Sequence, residues 1–285
     1  MSNYLIISPV RNEANIIKNT LESVINQTIK PMQWIIVDDG STDGTYEIAS
    51  EYQQKHNWIK VIKKQNRGYA KLGGGVVESF NLGLSTTDIN KYDFLVKLDG
   101  DLKFEVDYFE KLFTYFKNNP NLGIASGLTY FVSNEKLIKE NAPDHYAIGP
   151  SKVYRRECFL EIKGLVEDLG WDVIDVIRAQ NLGWKTRNYP DLKLIHLRPM
   201  SSKAGIVRGR FRNGLTDYLT GYNPLFIIAR SIYRIFHYPY IIGGIMIFLG
   251  YIYGFLKIRK QLVTDEEKKF FQRQQLKRLI GIKPR

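Results

Sequence analysis

Short apolar runs alternate with amphipathic stretches through the first half of the chain. The runs Tyr4 to Ser8, Gln33 to Val37, Ile59 to Ile62 and Phe94 to Leu98 read as strands. Between the first two, Ile17, Leu21, Val24 and Ile25 recur at helical spacing and mark one face of a helix. Thr45 to Gln54 reads as a second helix, Val76 to Leu82 as a shorter one entered through Gly73-Gly74-Gly75, and Val106 to Phe116 as a fourth. Strands alternating with helices imply βαβ units on a largely parallel sheet, so the fold class expected is α/β.

After Pro120 the pattern is mixed: Gly123 to Tyr130 and Ser151 to Tyr154 suit strands, Arg156 to Ile162 and Asp172 to Leu182 suit helices, and 131–150 reads as a loop. From Pro224 the chain is apolar on most sides, and Arg230, Arg234 and His237 form one polar stripe. That pattern fits an interfacial helix whose arginines snorkel to headgroups. Tyr240 to Leu256 then gives seventeen residues without a charge, at the lower limit for crossing about 30 Å of hydrocarbon. Basic residues flank it on both sides, which favours a re-entrant segment or shallow hairpin over one clean span. Gly250 and Gly254 make a Gly-x-x-x-Gly, a helix-pairing spacing that would suit a homo-oligomer. Thr264-Asp265-Glu266-Glu267 resembles a capping box opening a last helix that closes near Lys277 and Arg278. The division expected is a body over 1–200 and a membrane-associated helical region over 201–285.

Charge sharpens that division. The 285 residues carry a net charge of +12, yet residues 1–200 balance at 25 basic and 25 acidic side chains, whereas 201–285 hold 16 basic and 4 acidic. With 44% apolar and 13% aromatic residues the chain is no disordered polymer. Its one cysteine, Cys158, excludes an internal disulfide framework, and the N-terminus lacks the basic segment of a signal peptide. The surplus charge is interleaved with a membrane-length apolar stretch rather than with a base-reading module, so it reads as a membrane address and not as a nucleic-acid footprint. Lys203 to Arg212 reads as a glycine-loosened basic loop able to meet phosphates.

Asp38 and Asp39 close the run Trp34 to Val37, and Asp99 and Asp101 close the run Phe94 to Leu98. Ligands of open α/β sheets sit where strands end, so these carboxylates are the first candidates for chemistry. Taken singly, each group also suits an ordinary turn: Asp38-Asp39-Gly40-Ser41 with a helix cap, and Asp99-Gly100-Asp101 as a tight bend. Asp-X-Asp at a strand end also suits a divalent cation, because it offers two hard oxygens and leaves positions for water and phosphate.

The ordered set is more specific than its parts. Ile7-Ser8-Pro9-Val10-Arg11-Asn12-Glu13, Ile35-Ile36-Val37-Asp38-Asp39-Gly40-Ser41-Thr42-Asp43, Asn66-Arg67-Gly68 and Val96-Lys97-Leu98-Asp99-Gly100-Asp101 together resemble, in order and spacing, the family-2 glycosyltransferases. The resemblance covers roughly residues 3 to 200. It implies a GT-A, Rossmann-like fold with one nucleotide-diphosphate-sugar-binding α/β domain, and inversion at the sugar carbon. It also implies that Pro9, Arg11 and Glu13 line the nucleotide pocket, that Asp39 contacts the base with Asp38 supporting it, and that Arg67 faces the nucleotide. Asp99 would lie against the ribose and the metal-bound diphosphate, and Asp101 would ligate the cation, Mn²⁺ or Mg²⁺. Lys97 receives no role.

An inverting transfer needs a carboxylate to take the acceptor hydroxyl proton. The family places it in a Glu-Asp pair opening a helix that closes on a Gly-aromatic step, and Asp172 to Gly183-Trp184 matches that spacing. Asp172 is therefore the candidate base, with Trp171 where Glu usually stands and a candidate to stack on the acceptor sugar. Asp175, one turn on, and Glu167-Asp168 upstream are the alternatives, and a carboxylate facing the helix dipole would also account for Asp172. By the same resemblance, His196 would complete the metal site or contact the diphosphate. The function expected is inverting, metal-dependent transfer of a sugar from a nucleotide-diphosphate donor to a glycan or lipid-linked glycan, in polysaccharide, glycolipid or glycoprotein glycan biosynthesis at the cytoplasmic membrane face. A lipid-phosphate acceptor, already ionised, would need no base. The alternatives are a nucleotidyltransferase on a related fold, which would release pyrophosphate, and a non-catalytic sugar-nucleotide-binding membrane protein.

Overall fold

The apolar run at the N-terminus becomes β1 (Tyr4–Val10), and the βαβ alternation continues through α1 (Ile17–Ile25), β2 (Gln33–Asp38), α2 (Thr45–Lys55), β3 (Ile59–Lys63), α3 (Gly74–Leu84) and β4 (Phe94–Leu98). The computed structural model describes residues 2–69, 71, 73–133, 136–140, 142–198, 205–257 and 259–282. Strands β1 to β4 are mutually parallel in the order β3-β2-β1-β4. Covered on both faces, β1, β2 and β4 can be almost wholly apolar, which is why they read as continuous runs.

Next come β5 (Leu102–Phe104), α4 (Tyr108–Asn118), β6 (Leu122–Ser133), β7 (Lys136–Lys139), β8 (Ser151–Arg155) and α5 (Arg156–Glu161). After α6 (Trp171–Asn181) the sheet receives β9 (Lys185–His196) and reads β3-β2-β1-β4-β8-β6-β9-β5, with β7 on β6. The side chains of α4 pin one face of this sheet: Phe109 and Phe113 meet the Tyr4 ring at 5.1 and 4.9 Å, and Phe113 and Phe116 each meet Phe94 at 4.9 Å. The segment 131–150 is not wholly a loop. β6 runs on to Ser133 and pairs antiparallel with β7, whose four residues are all exposed and so carry no burial pattern to read.

Packing divides the chain into Met1–Asp168 with Leu182–Arg198, and Leu169–Asn181 with Pro199–Arg285. The boundary thus differs from the 1–200/201–285 division, since α6, with Asp172, groups with the C-terminal helices α7 (Ile206–Leu219), α8 (Pro224–Ile235), α9 (Ile242–Leu256) and α10 (Asp265–Leu279). Lys203 and Ala204 lie outside the described residues, but Ile206 to Arg212 is helix rather than loop. Further along α7 a glycine serves packing: α7 and α9 approach so closely that a Cβ on Gly214 would stand 1.8 Å from Ile247 O, and one on Gly250 1.9 Å from Phe211 O. The Gly-x-x-x-Gly of α9 is therefore engaged within the chain, Gly254 lying against the Tyr218 ring. Among the described residues no helix is long and apolar enough to cross a membrane. Arg230 does not snorkel; it binds the buried Asp217 at 2.5 and 2.6 Å. The capping box is present: Thr264 Oγ1 accepts from Glu267 N, and Thr264 N donates to Glu267 Oε2 at 2.7 Å.

Candidate functional site

The C-terminal ends of β1, β2 and β4 open side by side, because the three strands are adjacent and parallel. Pro9 pairs in register with Val37 and Val10 with Asp38, so the segment leaving β1 runs beside the Asp38-Asp39 turn. Asp39 N donates to Val10 O at 2.9 Å. Gly40 allows the turn: its φ is +74°, and a Cβ there would stand 2.5 Å from Asn66 Cα. Asp38 is fully buried, with Oδ2 accepting from Ser41 N at 3.1 Å. Its Oδ1 accepts no hydrogen bond among the described residues.

Asp39 is the hub of the first cluster. Arg67 Nη2 donates to its carboxylate, at 2.5 Å to Oδ1, and Lys64 Nζ lies 2.8 Å from the same oxygen. Arg11 Nη1 donates to the Asp39 carbonyl, while its Nη2 reaches Asn66 Oδ1 at 3.0 Å. Glu78 on α3 closes the network, 2.7 Å from Lys64 and 3.0 Å from Arg67. Burial works against ionising Asp39, but Arg67 and Lys64 outweigh it and hold the carboxyl below its usual range. The bond from Lys64 leads the effects that lower Glu78 to about 2.

The second cluster forms around Asp99-Gly100-Asp101. Gly100 leaves room for its neighbours: a Cβ there would stand 2.3 Å from Glu13 Oε2 and 2.7 Å from Val10 Cγ1. The Glu13 carboxylate thus lies against the middle of the Asp-Gly-Asp turn. The antiparallel pairing of β5 with β9 sets Leu102 opposite His196 and brings the end of β9 alongside. His196 Nε2 is then 3.3 Å from Asp101 Oδ1, Arg198 Nε is 3.2 Å from Asp101 Oδ2, and Arg198 Nη2 is 2.5 Å from Glu13 Oε1. Behind His196, Glu140 Oε1 lies 3.9 Å from Nδ1 and is itself bonded through Oε2 to Thr129 Oγ1. Burial opposes a charge on His196, yet Asp101 and Glu140 prevail and raise its pKa to about 10. Lys97 is buried, its Nζ bonded to Asp99 Oδ1 and to Gly149 O at 3.0 Å.

The structure therefore brings Pro9, Arg11, Glu13, Asp38, Asp39, Arg67, Asp99, Asp101 and His196 to one end of the sheet. Asp172 belongs to the other packing unit, half-buried in the first turn of α6. Asp175 and Trp171 are buried. Lys64, Glu78 and Glu140 were not legible as site residues. Only pairings brought together by folding reveal them, and Lys97 likewise gains its place from the Gly149 carbonyl as well as from its near neighbour Asp99.

For a divalent cation, the donor chemistry of Asp99, Asp101 and His196 fits: hard carboxylate oxygens with one imidazole. Asp101 Oδ1 is buried and accepts no aligned hydrogen bond. Among the described residues, no three His, Cys, Asp or Glu side chains are already gathered as a ligand set.

A family model described as Glycosyl transferase family 2 matches residues 5–171. The putative glycosyltransferase EpsH of Bacillus subtilis (strain 168) is 29% identical over 181 residues, covering 62% of this chain and 49% of EpsH. A poly-beta-1,6-N-acetyl-D-glucosamine synthase of Staphylococcus epidermidis is 31% identical over 116 residues, 41% of this chain and 26% of the synthase. The chain spans half or less of the length of these curated relatives. Among solved structures, the mannosyltransferase PcManGT from Pyrobaculum calidifontis, in complex with GDP-Man and Mn²⁺, aligns with a TM-score of 0.59 at 16% identity, covering 96% of this chain and 75% of its own. TarS of S. aureus aligns with a TM-score of 0.57 at 17% identity, covering 83% of this chain and 44% of its own. These likenesses establish an α/β, GT-A-like fold.

Proposed function

Because the chain belongs to glycosyl transferase family 2, we propose that it transfers a sugar from a nucleotide-diphosphate donor to a glycan or lipid-linked glycan acceptor, in polysaccharide or related glycan biosynthesis. The observation that carries this reading is the convergence of the Asp38-Asp39 turn and the Asp99-Gly100-Asp101 turn, with Glu13 lying between Gly100 and Arg198. The names of the relatives support it: EpsH is a putative glycosyltransferase, and the Staphylococcus protein a polysaccharide synthase.

In this reading Asp39, aligned by Arg67 and Lys64, accepts hydrogen bonds from the donor base, and Arg11 orients the loop that covers it. Asp99 and Asp101, with His196, would hold the divalent cation. When bound, that ion neutralises the charge that develops on the departing diphosphate. Arg198 stands beside Asp101 and Glu13 and contributes a fixed positive charge towards the leaving group. Lys97 fixes Asp99, and the Glu140 carboxylate lies behind the His196 ring. Asp172 takes the acceptor hydroxyl proton as its oxygen attacks the anomeric carbon.

The test is turnover of nucleotide-sugars with Mn²⁺ or Mg²⁺. Asp101→Ala should lose donor turnover while folding normally. Release of pyrophosphate in place of a nucleoside diphosphate would instead assign the site to nucleotidyl transfer.

A further inference from the structure

The outer surface of α8 and α9 breaks the usual rule for protein surfaces. Every exposed residue from Pro224 to Leu256 is Pro, Leu, Ile, Phe or Tyr. Leu225, Ile228, Ile232 and Phe236 line one side of α8 and its exit, and Ile242, Ile245, Leu249 and Leu256 one side of α9. Isolated exposed apolar residues are ordinary, but a contiguous face of them marks an interaction surface. The inner sides are already occupied: Gly244 lies against Ser231 O of α8, and Gly250 against Phe211 O of α7.

The charges at the edge of this face identify its partner. At the corner between the two helices, Arg210 Nη2 donates to Tyr238 O at 3.4 Å, and a Cβ on Gly243 would stand 3.9 Å from its Nε. Burial and then the Arg234 charge weaken the hold of Arg210 on its proton, so the two guanidiniums feel one another. Neither has an acidic partner among the described residues, because Asp217, the nearby carboxylate, is bound by Arg230. Just past α9, Lys257, Arg259 and Lys260 are all exposed. An apolar face with cations at its rim is complementary to a bilayer surface bearing anionic headgroups. A second copy of the chain would bring the same positive rims together, because a two-fold interface pairs a surface with itself. At about 1.5 Å per residue, the 15 residues of α9 reach about 22 Å, short of the roughly 30 Å hydrocarbon core. Crossing would also strip α9 from α7.

We propose that α8 and α9 lie in the plane of an anionic bilayer, their apolar face in the acyl boundary, with Arg210 and Arg234 holding lipid phosphate at the corner. Because this reading does not rest on the catalytic assignment, its failure leaves that assignment intact.

Co-flotation of the full chain with vesicles of phosphatidylcholine, alone or mixed with phosphatidylglycerol, tests it. The wild type should float with the mixed vesicles. Ile232→Asp combined with Leu249→Asp should lose about tenfold or more of that binding. Arg210→Gln combined with Arg234→Gln should lose about tenfold on mixed vesicles and little on phosphatidylcholine alone. Circular-dichroism melts verify that each variant folds, the two apolar positions being exposed. Binding that ignores the Asp substitutions overturns the proposal, as does equal binding to both vesicle types. So does a dimer in sedimentation that the Asp variant converts to monomer, which would give the face to a second copy.

Discussion

Lys97 is 2% exposed in the middle of the sheet, where an unpaired ammonium would be costly, and it answers that cost by bonding Asp99 and the Gly149 carbonyl. Lys97→Met should therefore cost about 1–3 kcal/mol in denaturant unfolding, since it leaves the carboxylate short of a cation. Adding Asp99→Asn should recover much of that loss, a coupling that a double-mutant cycle measures directly. Asp172→Asn should leave donor binding near wild type and reduce sugar transfer by two or more orders of magnitude, on the order expected for removing a general base. Asp217 gives a pH signature. Burial lifts its carboxyl to about 6 against the pull of Arg230, so the folded chain retains a proton that the unfolded chain releases from about pH 4 upwards. The stability this contributes is full below the unfolded pKa and is lost as pH rises through about 6. Thermal melts should show the wild type losing stability relative to Asp217→Asn over that window, and parallel curves would remove the assignment. The carboxylate turns at strand ends were legible because Asp38, Asp39, Asp99 and Asp101 stand directly after apolar runs. Glu78 and Glu140 were not, because each acquires meaning only from a partner brought to it by folding: Lys64 with Arg67, and His196.

Among the elements, β1, β2 and β4 announce themselves because burial requires continuous apolar runs, whereas β5, β7 and the first half of β9 do not. β5 has three residues, β7 is wholly exposed, and Lys185 to Pro190 mixes charge with a proline. The opening of α7 looked like a loop for a related reason. Gly209 and Gly214 lower helix propensity, but both are buried, and the surface they leave open receives α9 at Gly214. Gly250→Val should consequently force α7 and α9 apart and destabilise the chain by about 1–3 kcal/mol or more, read by chemical denaturation. An exposed control such as Phe255→Val should cost little.

At the level of the molecule, the +12 charge resolves into a balanced sheet unit and a basic helical one. The sheet unit carries the clustered carboxylates, and their geometry together with family membership makes donor turnover the central claim. Its most direct measurement is a panel of nucleotide-diphosphate sugars incubated with Mn²⁺ or Mg²⁺, in which release of nucleoside diphosphate is compared between wild type and Asp101→Ala. The wild type should release nucleoside diphosphate with at least one donor, and the variant should lose that release. Release that persists unchanged in Asp101→Ala would contradict that claim.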